Sequence, residues 1–158
     1  MSVEQVRAYL TPFGVADRIR EFDVSSATVD LAAEALGCEP RRIAKSLSFF
    51  GTDAPILVVA AGDAKVDNQK FKARFGIKAK MLSPDQTLEQ TGHAVGGVCP
   101  FGVRDGVQIY LDESLRRFET VFPACGSSNS AIELTIPELE RCSGYTAWVD
   151  VCKAWEPV

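Results

Sequence analysis

Lys45-Ser46-Leu47-Ser48-Phe49-Phe50, a turn over Gly51 to Pro55, and then Ile56-Leu57-Val58-Val59-Ala60-Ala61 form the stretch that decides the fold class. The first half alternates, which predicts a strand with Lys45, Leu47 and Phe49 on one face and Ser46 and Ser48 on the other. The second half is a short unbroken apolar run, the pattern of a central strand covered on both sides. A lysine heading an apolar row either snorkels to water or stands as a cation at the rim of a pocket.

Upstream, Ser25, Ser26 and Thr28 offer N-caps to a helix through Val29, Leu31, Ala32, Ala35 and Leu36, which Gly37 stops. Pro40 suits the first turn of a short helix over Arg41 to Ala44. Val15 to Phe22 reads as a strand, and Ser2-Val3-Glu4-Gln5 as the capping box of a helix ended by Pro12 and Gly14. Downstream, a helix is expected from Val66 to Phe75 with Gly76 after it, then a strand over Ile77 to Leu82. Ser83-Pro84-Asp85-Gln86 is a second capping box with proline at the first helical position. Arg104-Asp105-Gly106 signals a hairpin turn into a strand over Val107 to Leu111. Asp112 caps a brief turn through Leu115. Thr120 to Ala124, Ala131 to Leu134 and Tyr145 to Val151 read as strands, and Thr135-Ile136-Pro137-Glu138 opens a last helix that Gly144 closes. Short strands and short helices without regular alternation give a single α+β domain over residues 1–158, one curved mixed sheet with helices around it.

A chain of 158 residues with 46% hydrophobic content builds one domain with a real core. No apolar run approaches the roughly 20 residues that span a bilayer, and Glu4 and Arg7 interrupt the N-terminus, so a cytoplasmic protein without a membrane partner is expected. Five scattered cysteines without a Cys-x-x-Cys pair read as reduced core thiols, and a single histidine leaves no zinc site; no metal or other cofactor is expected. The net charge of −4 opposes tight unaided binding to a long nucleic acid. Two local surpluses, Lys65 to Lys80 and Arg41, Arg42 and Lys45, allow a small phosphate-contacting patch.

Thr91-Gly92-His93-Ala94-Val95-Gly96-Gly97-Val98-Cys99-Pro100-Phe101-Gly102 holds four glycines and the only histidine. It offers backbone rather than side chains, so its N–H groups can face a ligand oxygen while Pro100 stiffens the exit. It is neither a phosphate loop nor a dinucleotide fingerprint, because the residues those need do not follow. An ordinary surface turn is the plain alternative.

Three stretches in order carry a resemblance: Thr28 to Leu47 with Gly37, Pro40 and Ile43-Ala44-Lys45-Ser46-Leu47; Gly62-Asp63 with Asp67 and Lys70; and Thr91-Gly92 through Gly96-Gly97-Val98-Cys99-Pro100-Phe101-Gly102. A weaker match covers Gly126 to Leu139. The chain resembles the YbaK-like free-standing aminoacyl-tRNA deacylases, relatives of the editing domain of bacterial prolyl-tRNA synthetase. That resemblance implies a mixed sheet rolled toward a barrel with flanking helices. It also implies hydrolysis of the ester between a wrongly attached amino acid and the terminal adenosine of a tRNA. The implied partner is the 3′ aminoacyl-adenosine end of a mischarged tRNA, and the modest basic surface on an acidic protein suggests that tRNA selection is weak or shared with an aminoacyl-tRNA synthetase.

By the same resemblance Lys45 is the hallmark site residue, and Gly96 to Pro100 lies against the aminoacyl group. Phe22, Thr28, Ser46, Pro100, Phe101, Ser127, Ser128 and Asn129 are expected around the substrate. An aminoacyl ester is already activated, so orientation, a polarised carbonyl and a placed water suffice, with amides of Gly96 and Gly97 as oxyanion donors. Cysteine-specific members carry a carboxylate near the position of Ala131 and a tyrosine near that of Phe22, both absent here, so seryl, threonyl or alanyl esters are preferred over cysteinyl. Two rival readings are a module that binds a tRNA acceptor end or a synthetase without turnover, and a thiol hydrolase using Cys99 and His93.

Overall fold

The computed structural model describes residues 3–157, which leaves Ser2 of the first capping box outside the described residues. In chain order the elements are α1 (Val3–Leu10), β1 (Arg20–Glu21), α2 (Val29–Leu36), β2 (Ile43–Phe49), β3 (Ile56–Ala61), β4 (Lys65–Val66), α3 (Asn68–Phe75) and α4 (Pro84–Thr91). They continue with β5 (Gln108–Asp112), β6 (Thr120–Pro123), β7 (Ser130–Ala131), β8 (Leu134–Thr135), α5 (Ile136–Ser143), β9 (Ala147–Val149) and β10 (Cys152–Lys153). Six strands form one mixed sheet in the order β8-β6-β2-β3-β5-β9, and two small ribbons pair β1 with β7 and β4 with β10. The sheet curls into a half-barrel with short helices around it, an α+β fold.

The apolar run is the middle of the molecule: every residue of β3 is buried, and an apolar side chain taken from water contributes about 1.5–3 kcal/mol. β3 pairs antiparallel with β2, setting Lys45 opposite Ala60 and Leu47 opposite Val58, and parallel with β5, setting Val58 opposite Tyr110. The face shared by Phe49, Leu47 and Tyr110 is covered by α3, whose Phe71 and Phe75 chain the rings of Phe49 and Tyr110 together at 4.6–4.9 Å between centroids. On the other face, Ser48 Oγ meets Thr87 Oγ1 of α4 at 2.9 Å.

Helix boundaries read from capping chemistry hold where the cap is local. Thr28 Oγ1 accepts the Leu31 N–H, and the capping boxes Ser83/Gln86 and Thr135/Glu138 are both complete. Other expectations are corrected. Val66 to Phe75 is not one helix, because Val66 pairs in β4 and the Asp67 carboxylate caps the helix by accepting from Gln69 and Lys70. The helix expected over Arg41 to Ala44 is a 3-10 turn, Pro40–Arg42, because Ile43 and Ala44 already pair with Phe122 and Pro123 of β6.

Val15 to Phe22 is not one strand: Ala16–Arg18 form a 3-10 turn, and only Arg20 and Glu21 pair as β1. Ile77 to Leu82 reaches the sheet only at Met81, opposite Phe49. Ala131 to Leu134 splits because Ala131 pairs with β1 and Leu134 with β6. The strand expected over Tyr145 to Val151 is shorter, spanning Ala147–Val149 as β9, and β10 follows it. Gly106 turns at φ +93°, but no hairpin forms: β5 lies parallel between β3 and β9, partners from distant chain.

Candidate active site

β6 pairs with β2 only at Ile43 and Ala44, and the next neighbour along that edge is Met81, at Phe49. Between them the edge of β2 from Lys45 to Leu47 has no strand beside it. Phe50 N–H and Ser48 C=O both bond outward, to Lys80 O and from Leu82 N–H, so by alternation the peptide groups of Ser46 face the same gap. A cavity of about 320 Å³ fills it, at the lower end of the range for small-ligand sites. Because it runs along an edge, it is lined by side chains from both faces of β2, Lys45 from one and Ser46 and Ser48 from the other.

Apolar side chains make most of the wall, among them Val29 and Ala32 of α2, Phe122, Ala131 and Val98. Lys45 is the one charged residue among the described lining residues; the polar remainder is hydroxyls, including Thr28, Ser46, Thr87 and Ser130. Its ammonium donates to Gly62 O at 3.4 Å and, at short range, to Ala64 O, which leaves one of its three N–H groups. Burial lowers the Lys45 pKa from its ordinary value, opposed by the nearby Cys152 and Asp63 and aided by Lys65. Ser46 Oγ is buried with no partner. Leaving such a hydroxyl unsatisfied costs about 1–3 kcal/mol.

The glycine loop closes the cavity beside the approach to α2. Gly96, at φ +96°, stands where a Cβ would lie 3.2 Å from Ala27 Cβ. Gly97 is pressed on the Gly126-Ser127 backbone, its carbonyl accepting from Gly126 N–H at 3.1 Å. Its own N–H donates to Ala94 O at 3.0 Å, whereas no acceptor among the described residues takes the Gly96 N–H. The turn at 126–130 is tied to the approach to α2: Ser26 N–H donates to Ser128 O at 2.6 Å, Phe22 N–H to Asn129 O at 2.8 Å, and Asn129 Nδ2 to Phe22 O at 3.0 Å.

Of the residues expected at the site, Thr28, Lys45, Ser46 and Gly96 line this cavity. Gly97, Ser127, Ser128 and Asn129 line an adjoining hollow of about 400 Å³ behind the glycine loop. Phe22, Pro100 and Phe101 line neither; Phe22 braces the 126–130 turn, Pro100 is buried, and Phe101 is 0% exposed in the core. Sequence reading passed over Ser48, Thr87, Val29, Ala32 and Phe122. Ser48 was reachable, since it shares the face of Ser46; the apolar walls carry no chemical signal of their own.

His93 and Cys99 make no hydrolase. Both are 0% exposed. His93 Nε2 sits 2.8 Å from Phe101 O, so it carries the hydrogen and cannot take the proton of the Cys99 thiol 3.6 Å away. Burial lowers the His93 pKa and pushes the Cys99 thiol up to about 12. Cys99→Ser is expected to keep full catalytic rate while lowering the melting temperature, and iodoacetamide at neutral pH to leave the native activity unchanged. Loss of turnover in a folded Cys99→Ser protein would restore the thiol reading.

The chain is similar in sequence and fold to known proteins. The aminoacyl-tRNA editing domain family matches residues 23–142. Uncharacterized protein YwhH of Bacillus subtilis (strain 168) is 58% identical over 157 residues, 99% of this chain and 100% of that one. A candidate Cys-tRNA(Pro)/Cys-tRNA(Cys) deacylase, EbsC, of Enterococcus faecalis (strain ATCC 700802 / V583) is 30% identical over 109 residues, 68% of this chain and 66% of that one. The crystal structure of a candidate trans-editing enzyme for prolyl tRNA synthetase superposes with a TM-score of 0.86 at 29% identity, covering 97% of this chain and 99% of that one.

Proposed function

Since the chain belongs to the aminoacyl-tRNA editing domain family, we propose that it is a trans-editing aminoacyl-tRNA deacylase, hydrolysing the ester of a small amino acid on a mischarged tRNA. The observation that carries this reading is the apolar edge cavity with a single lysine, a set of hydroxyls and a glycine amide. Such a site can orient and polarise an activated ester. The 3′ aminoacyl-adenosine enters with its acyl group toward the Val29, Ala32 and Phe122 wall. The remaining N–H of Lys45 meets the ribose or the acyl carbonyl by a charge-assisted bond. The Gly96 N–H is the amide free to face the developing oxyanion, since that of Gly97 is already bonded inside the loop. A ribose hydroxyl of the substrate assists the attacking water, in keeping with a lining that offers no carboxylate or imidazole among the described residues.

Seryl and threonyl esters are the preferred substrates, with alanyl next and cysteinyl after it. The hydroxyl lining of Ser26, Thr28, Thr87 and Ser130 supports this order, because it offers hydrogen-bond partners to a substrate hydroxyl. A cavity of about 320 Å³ has room for an aminoacyl group. The test is a deacylation panel of seryl-, threonyl-, alanyl- and cysteinyl-tRNA on matching and non-matching tRNAs. Release of the small amino acids supports the reading. Retention of tRNA with no release from any ester would replace it by a module that binds a tRNA acceptor end or a synthetase without turnover.

A further inference from the structure

We propose that Asp63 and Arg117 are positioning residues for Lys45, locking the Gly62–Ala64 turn whose two carbonyls hold the ammonium. The inference rests on Lys45 acting in the cavity, as proposed above. Neither residue lines the cavity, and neither touches the lysine in the chain of bonds; both act through the turn.

The Asp63 carboxylate accepts a two-pronged fork from Arg117, with Nη1 at 2.9 Å and Nη2 at 2.5 Å. The Arg117 side chain is only 6% exposed. Its guanidinium lies over the rings of Phe118 and Trp155, at 4.7 and 4.9 Å, and donates further to Ser114 O and Glu156 O. A planar fork stacked on aromatic faces holds its partner in one geometry, which an ammonium on a flexible stem does not. On the other side of the turn, Gly62 is seated against Pro40: a Cβ there would lie 2.0 Å from Pro40 O. Ala61 N–H donates to Ser114 Oγ at 3.1 Å, so the segment that carries Arg117 also holds the end of β3. The turn is thus fixed from both sides, and with it the direction of the Gly62 and Ala64 carbonyls toward Lys45.

Charge follows the same path. The titratable groups that face the Lys45 ammonium are Asp63, Lys65 of β4 and Cys152 of β10. Removing the Asp63 anion therefore disfavours the ammonium, and removing the Arg117 cation leaves Asp63 unneutralised and favours it.

The experiment uses the full chain as wild type, Asp63→Asn, Arg117→Met and Arg117→Lys. It follows the Lys45 side chain by 13Cε/15Nζ NMR across an alkaline titration, beside kcat and KM on a mischarged tRNA. The Lys45 midpoint is expected to move to lower pH in Asp63→Asn and to higher pH in Arg117→Met. In both variants kcat should fall about tenfold or more, with KM changed less than about twofold, and Arg117→Lys should recover part of kcat. A stabilising pair with no hold on Lys45 would lower the melting temperature and leave the midpoint in place. A midpoint unmoved in folded Asp63→Asn overturns the proposal, as does unchanged kcat in that variant when wild type is active; Asp63→Asn carries the test if Arg117→Met does not fold. Opposite midpoint shifts in a protein that hydrolyses no ester of the panel would sustain the positioning role and sink the deacylase reading.

Discussion

Lys45→Ala is expected to lower aminoacyl-ester hydrolysis by about a hundredfold or more while leaving the melting temperature close to that of wild type. The two halves of this expectation have different causes. Catalysis loses the one charged group among the described lining residues of the cavity, and no neighbour there can supply a cation. Stability loses little, because the ammonium is partly desolvated and its removal relieves that cost even as the carbonyls of Gly62 and Ala64 give up a donor. Lys45→Met separates charge from packing, keeping an apolar stem of similar length, and should be as inactive as Lys45→Ala. The pH dependence has a definite sign: burial lowers the Lys45 pKa, so activity that needs the ammonium declines on the alkaline side before an ordinary lysine would titrate. Full activity in Lys45→Ala across the ester panel would remove the lysine from the mechanism.

Gly97→Ala should be the most damaging conservative change in the glycine loop, costing about 1–3 kcal/mol of stability and about tenfold or more in kcat. The added Cβ would stand 2.7 Å from Ser127 N, 2.8 Å from Gly126 C and 2.9 Å from Ser127 C. All three are backbone atoms and cannot rotate away, so the loop or the 126–130 turn must shift. Either shift moves the Gly96 amide and the Ala131 wall of the cavity. Gly96→Ala differs in kind, because its strain comes from φ +96° and its nearest contact is the Ala27 side chain at 3.2 Å. Thermal melts and single-turnover rates on the two variants compare them: both should lose stability and rate, and Gly97→Ala more of each. A Gly97→Ala protein equal to wild type in both would show that loop and turn are not pressed together.

Much of the molecule was readable because it is set by neighbours in sequence. The capping boxes at Ser83 and Thr135, the Asp112 cap and the stops at Gly37, Gly76 and Gly144 depend on groups within a few residues of one another. The buried character of Ile56 to Ala61 is a property of its own side chains. Readings failed where the partner decides the conformation. Val66 pairs with Cys152 instead of entering α3, and Ala131 and Leu134 answer to different strands. No local signal tells a β5 that follows a glycine turn to lie parallel between two distant strands.

The candidate site divides in the same way. Lys45, Ser46 and the glycine loop stand out from sequence because lysine on an apolar row and clustered glycines are costly unless something uses them. What they do depends on contacts across the fold. Lys45 and Ser46 leave opposite faces of β2, yet meet one cavity because β6 parts from that strand after Ala44. The Gly97 amide, legible as a donor, is taken by Ala94 O, and His93 and Cys99, the loop's most reactive residue types, are sealed in the core. By itself the sequence determined the α+β class, the buried centre, most helix ends and the residues from which a site could be made. Only the tertiary structure decided that Lys45 and Ser46 meet at a gap along a strand edge, that the Gly97 amide is taken within its loop, and that the Asp63–Arg117 pair adjoins the turn whose carbonyls bond the lysine. Hydrogen-bond partners and strand edges are assigned between segments far apart in the chain, and no local pattern of side chains encodes that assignment.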